Sequence, residues 1–125
     1  MCQSMIASYD DSPIREKKRS VPTIVKDVQS FRAAQAWGAR DIAEIEGASV
    51  RLHWTDQPYR WHVNDGAEVF LVLDGFVVMH YREGAEEHQV RLQAGDLFVA
   101  QVGDEHLAAP DGEARILVIE KIGSV

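Results

Sequence analysis

Along the chain the apolar positions change period once. From Asp27 onward Val28, Phe31, Ala34 and Trp37 fall at every third position, the stripe of a short helix that Gly38 would end. Trp37 is then a candidate core anchor. A second apolar pair, Ile42 and Ile45, precedes Gly47, and beyond it the helical period is gone. Turn signals take over: Asn64-Asp65-Gly66, Asp74-Gly75, Glu83-Gly84, Ala94-Gly95-Asp96, Gly103-Asp104 and Pro110-Asp111-Gly112. Successive glycines from Gly66 to Gly112 lie 9, 9, 11, 8 and 9 residues apart, the beat of short antiparallel strands in a sandwich or barrel. Between the turns, β-branched and aromatic residues predict strands over 49–54, 59–64, 68–73, 76–82, 88–92, 97–102 and 114–121. The pattern predicts an all-β fold, a small antiparallel barrel or jelly roll, with a short N-terminal helical segment. Residues 1–23 mix polar, charged and Pro residues without a period and are expected to form a flexible arm, leaving 24–125 as a single barrel domain.

Composition narrows the partners. A chain of 125 residues buries one sizeable core and not two. Thirteen Lys and Arg against twenty Asp and Glu give a net charge of −7, which disfavours a phosphate backbone or an anionic membrane surface. The basic run Arg15 to Arg19 includes a Glu and is read as a solvated part of the arm. No apolar run approaches the roughly 20 residues that span a bilayer, and the charge cluster follows a polar stretch, the reverse of a secretory signal. A single cysteine, Cys2, makes no internal disulfide. Together these features predict a cytoplasmic protein.

One cluster of polar side chains looks placed rather than scattered. His62 and Asn64 are two apart on a predicted strand and so share a face. If Asp65, Gly66 and Ala67 form a three-residue connection, Asn64 faces Glu68 across a hairpin and Glu68 joins His62. Phe70 and Val72 follow on the same face, which marks it as interior. A buried carboxylate beside an imidazole needs a partner, and a cation is the simplest one.

These residues resemble a known family, the cupins. His62-Val63-Asn64-Asp65-Gly66-Ala67-Glu68, six further residues and Gly75 resemble the first cupin motif, G(X)5HXH(X)3-4E(X)6G. Gly95, then Gly103, two residues and His106 resemble the second, G(X)5PXG(X)2H(X)3N. The resemblance runs from about Trp37 onward. It implies a double-stranded β-helix barrel, often a homodimer, with a metal site inside. Carried over by position, the metal ligands are His62, Glu68 and His106, and Asn64 stands where the family has its second histidine. The implied set of two histidines and one carboxylate suits Fe(II) and also binds Mn, Ni or Zn; Asn64 could add an amide oxygen. Asp56, Gln101 and Pro110 replace the first Gly of motif one and the Pro and Asn of motif two without removing a ligand.

Two functions follow. One is an enzyme in which a divalent metal held by these residues acts on a small molecule, in dioxygenase-like or isomerase-like chemistry, with Glu68 as ligand or as catalytic base. The other is a non-catalytic barrel that binds a small molecule, with its metal site weakened or lost at Asn64. Metal-free acid–base catalysis by a His and a carboxylate has no supporting Asp or Lys pattern. Ser49 sits in no nucleophile elbow, Cys2 has no placed His, and no Gly-rich phosphate loop is present. His53, His80 and His88 lack a paired ligand and are read as structural or exposed. Trp54, Tyr59, Trp61 and Phe70 are candidate pocket walls.

Overall fold

In the computed structural model, residues 21–124 are described. Seven strands occupy them: β1 (Gly38–Ile45), β2 (Ala48–Thr55), β3 (His62–Val63), β4 (Glu68–Glu83), β5 (Glu86–Gln93), β6 (Leu97–Ala100) and β7 (Glu105–Lys121). They form one antiparallel sheet in the order β1-β2-β7-β4-β5, with β3 added to β7 and β6 to β4. The expected all-β jelly roll is therefore the observed fold. Most of the predicted arm, residues 1–20, lies outside the described residues.

Two long strands shape the barrel. β4 and β7 pair twice, from Glu68↔Glu120 to Val72↔Ile116 and again from Phe76↔Asp111 to Tyr81↔His106. Asp74-Gly75 and Pro110-Asp111-Gly112, expected to be turns between strands, lie inside β4 and β7 instead. The register shifts on either side of Asp74. An irregularity of that kind moves the inward face from one parity to the other: Phe70 and Val72 are buried before it, Val77 and Met79 after it. Gly75 takes φ 85, and a Cβ there would meet the carbonyl oxygen of Glu113, so the two strands approach closely where β4 bends. The core is Phe70, Val72, Val77 and Met79 of β4, Leu92 of β5, and Ala108, Ala114, Ile116 and Val118 of β7.

The N-terminal helical stripe is corrected by the structure. Only Val28–Ser30 turns, as 3-10 helix, after Asp27 at φ 56, and Phe31 at ψ 134 is already extended. Trp37 itself takes φ 63, outside any helix. It still packs against the core, and its Nε1 donates to the carbonyl of Gln57 at 2.8 Å. Ile42 and Ile45 belong to the edge strand β1, whose register shifts between Asp41 and Ala43. Of the predicted strand 59–64, only His62–Val63 pairs, and it pairs with β7 rather than across a hairpin with β4.

Candidate metal centre

The site is assembled by β7. His106 near its start pairs with His62 of β3, and Glu120 near its end pairs with Glu68, the first residue of β4. His62, Glu68 and His106 each offer one ligand atom, and these atoms lie within 4.8 Å of one another. His106 Nε2 is 3.5 Å from Glu68 Oε1, and the two imidazole rings meet edge to face at 4.3 Å between centroids. Glu68 is 8% exposed and His106 2%. The side chains thus converge as expected from sequence, although the hairpin assumed to bring them together is absent.

Asn64 is buried beside them. Its Nδ2 donates to Glu68 Oε1 at 3.0 Å and to the carbonyl of Gly66 at 3.2 Å. Both partners can only accept, so the amide orientation follows. Oδ1 is left buried with no hydrogen-bond partner among the described residues, as is His106 Nδ1. His62 Nδ1 lies 3.3 Å from the carbonyl of Arg60. A carbonyl there calls for N–H at Nδ1 and leaves Nε2 as the basic nitrogen, the usual support of a ligating histidine.

Burial lowers the pKa of His106 to about 4, with the neighbouring His62 adding to the effect and Asp104 opposing it. The imidazole is neutral at physiological pH, the form that binds metal. Two imidazoles, one carboxylate and buried polar atoms without partners among the described residues fit a divalent transition metal by donor type.

The triad opens into a cavity of about 290 Å³. Tyr59 and Phe70 line it, as the sequence suggested, whereas Trp54 and Trp61 do not. Trp54 donates to Glu113 Oε1 at 3.1 Å, and the Arg82 guanidinium covers Trp61 at 3.9 Å. Among the lining residues that escaped the sequence reading are Trp37, Arg51, His53 and Glu120. The alternation of β2 and β7 was the available signal, since Ser49, Arg51 and His53 share one parity, as do Val118 and Glu120. Glu120 has its carboxyl pKa pushed up to about 7, chiefly by burial and then by the charge of Glu68. His80 lies 3.7 Å from Glu87, and His88 Nε2 is 3.3 Å from Glu86 and 3.4 Å from Glu83.

Comparison with known proteins agrees with this geometry. The family model of the AraC-like ligand binding domain matches residues 44–119. A cupin-2 domain containing protein from Shewanella frigidimarina is 31% identical over 71% of this chain and 84% of its own, with a TM-score of 0.64. The chain belongs to the AraC-like ligand-binding family and is a small cupin. A cupin superfamily protein from Desulfitobacterium hafniense shares the fold at 16% identity and a TM-score of 0.63, covering 85% of this cupin and 93% of itself. A hydroquinone 1,2-dioxygenase in complex with Fe3+ shares it at 16% identity and a TM-score of 0.65, with 73% of this cupin matched to 29% of that chain. Curated proteins returned no match. Among the described residues, no helix is long and apolar enough to cross a membrane.

Proposed function

We propose that this cupin holds a divalent transition metal on His62, Glu68 and His106 and acts on a small molecule in the adjoining cavity. The observation that carries the proposal is the convergence of three ligand atoms within 4.8 Å on two nearly buried side chains and a third at the cavity wall. When bound, the metal supplies Lewis acidity to an oxygen of the small molecule. The chain's own residues do the rest. Asn64 orients the Glu68 carboxylate, and the carbonyl of Arg60 orients His62. Asn64 Oδ1 is the atom that residue could add as a further donor. Phe70, Ala108 and Val118 keep the floor of the cavity apolar. Glu68, where it is not a ligand, is the base nearest to hand. A fold neighbour that is a dioxygenase with iron supports oxygen chemistry as the first reaction class to test, ahead of isomerisation.

Loading the protein anaerobically with Fe(II), Mn(II), Ni(II) or Zn(II) and following O2 uptake and product formation over a panel of small aromatic and hydroxy acids tests turnover. Uptake dependent on both metal and substrate supports the enzyme. Saturable binding without turnover favours the second reading, a ligand-binding barrel, which the family match itself supports. We further place the protein in the cytoplasm, in keeping with its lone cysteine, as a homodimer with no nucleic-acid or membrane partner. Support for the dimer is the outward face of the sheet, where exposed Leu97 and Val99 pair with Leu71 and Val69.

A further inference from the structure

We propose that the Arg51 guanidinium is a second anion-binding point of the triad's cavity, and that the ligand is accordingly a short dicarboxylate with an apolar middle, one end on Arg51 and the other at the triad. The proposal rests on the triad being a metal centre.

The strand register sets the two ends apart. Arg51 of β2 pairs with Val118 of β7, and Val118 pairs with Phe70 of β4. Glu68 of the triad lies two residues before Phe70 on β4. From Arg51 to Glu68 the sheet therefore spans two strand spacings and two residues, about 12 Å between Cα positions. Both side chains line the one cavity, and Val118 and Phe70 line it between them. With its metal the triad is one cation and Arg51 is the other. An apolar floor with a cation at each end matches a molecule with an anion at each end.

The guanidinium is held, yet its outer nitrogens are open. Arg51 Nε donates to Asp41 Oδ1 at 2.8 Å. Asp41 is its partner on the edge strand β1, on the side away from Val118, and does not line this cavity. It fixes the group from outside. Nη1 and Nη2 have no hydrogen bond among the described residues, and Glu120, diagonal to Arg51 on β7, forms no ion pair with it. Burial lowers the pKa of His53, two residues along β2 in the same cavity, and the positive charge of Arg51 lowers it further, which places that charge among the cavity's side chains.

A planar pair of N–H donors without a partner is the geometry that takes a carboxylate. One guanidinium that already shares its charge with Asp41 suits a singly charged group, which favours carboxylate over phosphate. The cavity of about 290 Å³ is of a size for a diacid of roughly four to six carbons.

The test is calorimetric titration of the metal-loaded protein with succinate, glutarate and adipate, each against its monomethyl ester. The esters keep the length and one carboxylate but lose the second charge. At one length the diacid is expected to bind about tenfold tighter than its ester, as a charge-assisted pair would give. Arg51→Gln should bring that ratio towards one while leaving the ester's affinity in place. Should Arg51→Gln fail to fold, Arg51→Lys decides: the charge without the planar fork should keep less than the wild type's preference. Equal affinities in the wild type at every length, no saturable binding of any probe, or a full preference in the variant overturns the assignment of Arg51. Metal content measured on the same samples separates the two failures. A protein that retains metal but shows no preference loses only the Arg51 site; one that takes up no metal loses the metal reading and the dicarboxylate with it.

Discussion

Asn64 donates its amide to Oε1 of Glu68 across 3.0 Å in the barrel interior, at the position where the cupin pattern has a second histidine. The residue that departs from the pattern is thereby the one that orients the carboxylate. Replacing Asn64 with Leu removes that support but no imidazole. Metal affinity should fall about 10- to 100-fold, the usual effect of losing a residue that supports a ligand, with far-ultraviolet circular dichroism unchanged. Asn64→His should instead bind metal more tightly than the wild type. Competition titration against a chromophoric chelator reads both.

Gly75 is the position where the bend of β4 admits no side chain. Its φ of 85 and the closeness of Glu113 to its missing Cβ both oppose alanine. Gly75→Ala should cost about 2 kcal/mol or more in urea unfolding. Gly84→Ala, also at positive φ but with nothing near its missing Cβ, should cost less.

The same glycine shows where the sequence stops speaking. A turn between strands and an irregularity within a strand both call for Gly at positive φ, so Asp74-Gly75 reads alike for either. Only the partner strand, with Arg115 against Asp74 and Asp111 against Phe76, decides. The glycine spacing made the all-β class legible but not the strand limits, because Gly75 and Gly112 fall inside β4 and β7 while Gly84, Gly95 and Gly103 fall between strands. His62, Glu68 and His106 were legible because motif spacing survives even when the strand pairing is misassigned. His53 and Glu120 were not, because they lie 67 positions apart (120 − 53) and line one cavity only because β2 and β7 are neighbours in the sheet. The N-terminal stripe misled because three-residue spacing over so short a segment fits an extended chain that packs Trp37 against the core equally well.

Two cavity groups should act oppositely on the stability of the metal-free protein. His106 titrates near pH 4 in the fold and near 6.5 unfolded, so its contribution is lost as pH falls through that interval. Glu120 titrates near 7 folded and 4.5 unfolded, so its contribution is lost as pH rises from 4.5 to 7. Between pH 4.5 and 6.5 the two offset each other. Relative to the wild type, Glu120→Gln should therefore gain stability as pH rises, at no more than about 1.4 kcal/mol per pH unit, the limit for one proton. Urea midpoints at four pH values check this; a difference that falls with pH would refute it.

The outward face of β6 and β4 should be the dimer contact. Leu97 and Val99 are 57% and 52% exposed beside Leu71 and Val69. A protein with Leu97→Glu and Val99→Glu together should have a monomer's mass by light scattering where the wild type has a dimer's. A wild-type monomer, or a dimer that survives both charges, rules this face out.

The central claim is that His62, Glu68 and His106 hold a metal, and elemental analysis tests it most directly. Protein purified without a metal-affinity column, wild type beside His106→Ala, should contain about one transition-metal ion per chain in the first and almost none in the second. No metal in the wild type after incubation with Fe(II), Mn(II), Ni(II) and Zn(II), or equal metal in both proteins, would contradict the claim.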